Sequence, residues 1–128
     1  MSQAVMEGVA FSLRDILTRV KELGHTVSSA RIIGGGANSP VWCQIIAEVL
    51  NMKVEKINAT EGPAFGAAIL AMVGAGAFPT VETACEKLIN ATDVFIPSTA
   101  AKDYDKHYPI YTGLYTALAG SFKAMSQV

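Results

Sequence analysis

Arg31-Ile32-Ile33-Gly34-Gly35-Gly36-Ala37-Asn38-Ser39-Pro40-Val41-Trp42 is the stretch on which the reading of this chain turns. A short β-branched run drives into three glycines, and a Ser-Pro pair then opens an amphipathic run that continues to Leu50. The pattern predicts a strand over 30–33, a tight turn and a helix over 40–50. Glycine permits unusual backbone angles and close approach of a ligand to the main chain. Serine is a good helix N-cap, and proline suits the first helical position. Unpaired N–H groups at such a turn, with the positive end of a helix behind them, favour an anion.

Outward from this stretch, residues 4–23 place Val5, Val9, Leu13, Ile16, Leu17, Val20 and Leu23 at helical spacing, with Gly24 as a natural terminator. Residues 1–3 read as a frayed end, and the abrupt start at a helix reads as a trimmed chain. The strand over 30–33 is apolar on both faces apart from Arg31, as a central parallel strand is. Residues 53–57 alternate charged and apolar side chains, which suits a strand nearer an edge.

Thr60 and Glu61 precede a helix over 63–74 whose residues are mostly small. A glycine inside a helix costs about 1 kcal/mol relative to alanine, so Gly66 implies a closely packed neighbour. Thr80 starts a further helix to Ile89, and residues 93–97 form a short extended piece. A long helix over 102–125 carries Tyr104, Tyr108, Tyr111, Tyr115, Leu118 and Phe122 as one stripe, read as core packing. Pro109 kinks that helix or marks its start. Two or three strands joined through helices predict a small parallel sheet, too small a core to stand alone.

Composition narrows the functional classes. The chain has 128 residues, 51% hydrophobic and 16% charged, which reads equally as a small domain with a rich core or as apolar surface that meets an absent partner. A net charge of −1 without a basic block argues against nucleic acid and anionic membranes. No apolar run is long enough to span a bilayer, and charged residues near the N-terminus argue against export. Cys43 and Cys85 are far apart and read as small core residues in a reducing cytoplasm. His25 and His107 read as isolated surface residues.

The glycine turn admits a dinucleotide-binding reading. Gly34 and Gly36 begin a G-x-G-x-x-G pattern, and Glu55 lies on the following strand where a ribose-binding acid is expected. Ser39 stands where the third glycine belongs, which weakens that reading. A P-loop is excluded, because no Gly-Lys-Ser/Thr follows the turn.

A third reading is a family resemblance. Gly34 to Trp42, followed by Gln44, Ile45, Ala47 and Glu48, resembles the adenosine-side loop of the FGGY carbohydrate kinases. Glu61-Gly62-Pro63-Ala64-Phe65-Gly66-Ala67-Ala68-Ile69-Leu70-Ala71 is similar to that family's E-x-x-A-x-G-A-A-x-L-A helix. Glu7-Gly8-Val9-Ala10-Phe11-Ser12 resembles the helix before the loop, and the tyrosines from Tyr104 to Tyr115 resemble the terminal helix. Within the family the spelling is most similar to the xylulokinase branch.

The resemblance implies an α/β fold, an incomplete actin-like (ribonuclease H-like) ATPase lobe with a few-stranded parallel sheet and helices. Residues 1–128 would then be the C-terminal nucleotide-binding lobe of a cytoplasmic kinase that transfers the ATP γ-phosphoryl group to a sugar such as D-xylulose. Gly35, Gly36, Ala37, Asn38 and Ser39 are the implied nucleotide-binding residues, and Mg2+ is held through the phosphates. Pro40 stands where some relatives place an adenine-contacting Asn. The resemblance puts the catalytic carboxylate at the start of the second lobe, upstream of this chain, and most of the sugar site in the first lobe, so no catalytic residue and no metal ligand is assigned. Gly66, Ala67 and Ala68 match a hinge helix that shears against its counterpart. Trp42 reads as a packing anchor, and Glu61 as a loop support or helix cap. The absent lobe would leave apolar surface open, or covered in a dimer.

Overall fold

In the computed structural model, which describes residues 2–59 and 61–127, five α-helices accompany a three-stranded sheet, and the helix after the glycine turn packs on it. Helix α1 (Ser2–Glu22) leads to strand β1 (Ser29–Ile32), and a 3-10 turn (Gly35–Asn38) leads into α2 (Pro40–Leu50). Strand β2 (Lys53–Ile57), α3 (Gly62–Gly74), α4 (Val81–Leu88), β3 (Ala91–Phe95) and α5 (Ala101–Met125) complete the order. Thr60, expected to precede α3, lies outside the described residues, as does Met1. Helix α1 already begins at Ser2, where fraying to residue 3 was expected.

The helix ends follow local chemistry. Gly24 takes φ 87°, its N–H bonds the Lys21 carbonyl and the His25 N–H bonds that of Val20, a closing pattern that needs a left-handed residue. Asn51 ends α2 in the same conformation, at φ 48°. Thr80 Oγ1 accepts the Thr83 N–H at 3.2 Å and caps α4. Glu61 stands at the N-cap of α3 without a side-chain capping bond, so of the two roles expected of it, loop support or helix cap, the side-chain cap is not formed. Pro109 sits inside α5 rather than at its start.

Sheet order is β1-β2-β3, with β1 and β2 parallel and β2 and β3 antiparallel. Two expectations are corrected here. The sheet is mixed, because the long connection through α3 and α4 returns β3 alongside β2 in the opposite direction. The strand expected at the centre, β1, is an edge, and the charged β2 is the centre. Its charges are accommodated by pairing: Arg31 lies opposite Glu55 in register, and Glu55 also meets Lys53 at 2.6 Å.

The core gathers Ala10 and Phe11 of α1, Ile45, Ile46, Ala47 and Val49 of α2, and Val54 of β2. Phe11 is its aromatic pivot, with ring centroids 5.1 Å from Tyr111 and 6.0 Å from both Tyr104 and Tyr108. The aromatic stripe of α5 therefore packs only in its first half. Tyr115, Leu118 and Phe122 are exposed, contrary to the reading of the whole stripe as core. Helix α1 departs from expectation in a similar way. It turns Met6, Ala10 and Phe11 inward, while Val5, Val9, Leu13 and Ile16 face out. The helix carries two apolar stripes, and the one bearing Phe11 is the one that packs on the core among the described residues.

Polar side chains fasten α1 to α5. Tyr104 Oη donates to Glu7 at 2.8 Å, Tyr108 Oη donates to Asp15 at 2.6 Å, and Arg14 meets Asp105 at 2.6 Å. Arg14 also donates to the Val49 carbonyl and lies 4.4 Å from the Tyr108 ring centroid. One guanidinium thereby joins α1, the end of α2 and α5. Burial, and then the Glu7 carboxylate, push the Tyr104 hydroxyl up to about 12.

Candidate functional site

The site is built at the end of β1. Gly34 adopts φ 83° and ψ −173°, a conformation that side chains disfavour, and this turns the chain out of the strand. The Ala37 N–H then bonds the Gly34 carbonyl at 3.0 Å, and the Ser39 N–H bonds that of Gly36 at 3.1 Å. The result is one tight turn whose first two N–H groups, on Gly35 and Gly36, have no partner among the described residues. That pair follows from the geometry of any helical start, where the leading donors lack intrahelical acceptors.

The five residues expected to meet a nucleotide divide into two groups. Gly35, Gly36 and Asn38 are exposed. Ala37 is buried, and its carbonyl accepts from the Cys43 thiol at 3.6 Å. Ser39 is exposed, but its Oγ accepts the Trp42 N–H at 3.3 Å and caps α2. With Pro40 lacking an N–H and Trp42 already capped, Val41 carries the remaining donor in the first turn of α2.

Two glycines lie in close approach to a neighbouring side chain. A Cβ on Gly36 would lie 3.0 Å from Trp42 Nε1 and 3.1 Å from Trp42 Cδ1, so the indole edge rests on the turn. A Cβ on Gly62 would run into the Ile33 δ-methyl. The start of α3 is thereby seated against the last residue before the glycine turn, and two segments 29 residues apart in sequence (33 and 62) share one place. Beside them runs an apolar groove of about 370 Å³, lined by Ile33, Gly62, Phe65, Ile69, Cys85 and Ile89 among others.

Gly66 behaves differently. Nothing lies within 4 Å of a Cβ built on it, and Ala64, Ala67, Ala68 and Leu70 around it are exposed. The close neighbour that a helical glycine implies is not within the described chain.

Glu55 shows no geometry suited to a ribose. Its carboxylate is taken up by Lys53 first and then Arg31, which hold it below the usual carboxylate range. Cys43 is fully buried and Cys85 half-buried. Burial pushes the Cys43 thiol up, away from the reactive thiolate.

Glu48 is the residue whose importance its sequence context understates. It is buried on α2, and both carboxylate oxygens accept the Ser98 N–H, at 3.1 and 3.0 Å. Gln44 Nε2 donates to Glu48 at 2.7 Å and to the Ile96 carbonyl at 3.1 Å. Burial alone would raise the Glu48 carboxyl, but the donors from Gln44, Ser98 and Ala101 outweigh it and leave it below the usual range. The pair ties the helix behind the glycine turn to the entry of α5. The visible signal was a Gln-x-x-x-Glu step within an otherwise apolar helix.

Comparison with known proteins agrees with this architecture. The profile of the FGGY family of carbohydrate kinases, C-terminal domain, matches residues 1–75. Xylulose kinase of Staphylococcus epidermidis is 38% identical over 115 residues, which is 89% of this chain and 23% of that protein. The L-xylulose/3-keto-L-gulonate kinase of Escherichia coli is 37% identical over 119 residues, 92% of this chain and 24% of that protein. The crystal structure of ligand-bound xylulose kinase from Lactobacillus acidophilus superposes with a TM-score of 0.87 at 24% identity, over 98% of this chain and 26% of that one. The chain thus spans about a quarter of the length of the relatives it matches. The dinucleotide reading is overturned by these matches, and the chain belongs to the FGGY family of carbohydrate kinases, to whose C-terminal domain it corresponds.

Proposed function

We propose that this chain is the nucleotide-holding C-terminal part of a xylulokinase-like kinase, which phosphorylates D-xylulose with ATP in the cytoplasm. The observation that carries the reading is the seating of Gly62 against Ile33, which joins the glycine turn and the family's Gly-Ala-Ala helix at one site. The unpaired N–H groups of Gly35 and Gly36, with the exposed Asn38 side chain, suit the polar edge of a nucleotide. Ala37 contributes by shaping the turn, and Ser39 by capping α2. ATP supplies the γ-phosphoryl group, and Mg2+ arrives on the phosphates. The sugar belongs largely to a front lobe and the base that deprotonates it to the start of this lobe, upstream of the chain, and positioning dominates such chemistry. The exposed face of α3 suits a hinge contact with that lobe, and in its absence the same face would favour dimerisation.

Titration calorimetry tests the reading. MgADP should bind the chain at one site, NAD+ should give no heat, and the chain alone should not phosphorylate D-xylulose. Heat with NAD+ and none with MgADP would overturn the nucleotide assignment. Turnover by the chain alone would overturn the division of labour between lobes.

A further inference from the structure

The glycine turn is short, and a single neighbouring residue, Trp42, meets it at two places. Its backbone N–H reaches Ser39 Oγ at 3.3 Å, and its indole edge lies where a Cβ on Gly36 would come within 3.0 Å of Nε1. The same side chain is half-buried and packs on the core cluster formed by α1, α2 and β2. One residue therefore connects the rigid interior to the carbon between the two unpaired N–H groups and the rest of the turn. Gly36 is not in the left-handed region, so backbone angle does not require glycine there. The indole does.

We infer that Trp42 is a positioning residue for the nucleotide site: its ring, anchored on the core, presses on Gly36 and holds the Gly35 and Gly36 N–H pair in a fixed outward geometry. The inference rests on the proposed function for what that pair binds, but the mechanical contact does not. A turn of four residues without such a support would sample several conformations and lose ordering entropy on binding. A packed ring removes that cost beforehand. The chain contains one tryptophan, so its emission also reports on this turn alone.

Two experiments separate the contact from the nucleotide. In the first, no ligand is present. Gly36→Ala should shift the emission of the single tryptophan and move the Gly35 and Gly36 amide resonances, while the α5 resonances stay in place. In the Trp42→Phe background, where the five-membered ring is gone, the same methyl should move those amides far less. Equal amide shifts from Gly36→Ala in both backgrounds would overturn the inference, whatever the chain binds.

In the second, MgADP is titrated into each variant. Trp42→Ala, with its far-UV dichroism intact, should weaken MgADP by about tenfold or more, as expected when one or two hydrogen bonds to a charged group lose their alignment. Trp42→Phe, which also lacks the five-membered ring that meets Gly36, should lose a similar factor, and Gly36→Ala, whose methyl displaces that ring, should weaken binding as well; unchanged affinity in Trp42→Phe would equally overturn the inference. Unchanged affinity in folded Trp42→Ala would overturn the inference. If Trp42→Ala does not fold, Gly36→Ala and Trp42→Phe decide the matter. If wild type itself binds no MgADP, the proposed function fails for this chain, and the ligand-free experiment still decides the role of Trp42.

Discussion

Helices α2 and α3 are both apolar, yet the fold treats them oppositely. Helix α2 buries Cys43, Ile45, Ile46, Ala47, Glu48 and Val49 out of eleven residues. Helix α3 has thirteen residues without a single charge and buries only Ile69. The difference is one of neighbours. Helix α2 is the crossover between two parallel strands, so the sheet lies on one side of it while α1 and α5 pack on others. Helix α3 packs on α4 and, through Gly62, touches the end of β1. Apolar composition sets the drive to be buried, about 25 cal/mol for each Å² removed from water. Which surface satisfies that drive is a question of what stands beside it. In α3 the drive is left over, on the helix whose small residues would admit a close partner.

Substitutions can break or sharpen this contrast. The largest effect is expected in α2. Ile46→Ala should destabilise the chain by about 2–5 kcal/mol, through lost transfer energy and the cavity left behind. Ile69→Ala, in a helix with an open groove beside it, should cost clearly less. Denaturant melts of both variants measure this, and equal losses would mean that α3 is as deeply built in as α2.

Glu48→Gln comes next, at about 1–3 kcal/mol, because the Ser98 N–H loses part of its acceptor and two amide groups face each other. The pH dependence follows from the depressed carboxyl. A group whose folded pKa lies below its unfolded value stabilises the fold above the unfolded value, and the contribution disappears as pH falls through the folded one. The gap between wild type and Glu48→Gln should therefore be full at neutral pH and close in acid. A gap that is independent of pH down to the acid transition would remove the charge from the explanation.

The smallest effect has the opposite sign. With nothing within 4 Å of its Cβ position, Gly66→Ala should stabilise the isolated chain by about 0.5–1 kcal/mol, the helix-propensity difference. Destabilisation on melting would mean that a close neighbour does meet Gly66, as in a dimer seated on α3.

Much of this was legible in the sequence. Helix stops at Gly24 and Asn51, the caps at Ser39 and Thr80 and the turn at Gly34 come from local chemistry, since each depends on residues within one helical turn. The residues of the glycine turn were legible for the same reason. What they do was not. Ala37 and Ser39 look like their neighbours in sequence, but the fold commits one to the interior and the other to a cap. In the sequence Glu48 stood only as one residue of the run after the glycine turn, and the return of Ser98 from 50 residues away made it a clamp.

The sequence by itself determined where the chain folds into helix, strand and turn, because hydrogen-bonding and steric preferences at those points act over a few residues. Only the tertiary structure decided which apolar stripe of α1 turns inward, which half of α5 is covered, that β2 rather than β1 is central, and that β3 runs antiparallel. Those choices depend on surfaces that meet from distant parts of the chain, and periodicity along one segment carries no record of its partner. The glycine turn lies on this boundary. Its bend is local, but the indole that rests on Gly36 and the contact between Ile33 and Gly62 exist only once the chain has folded.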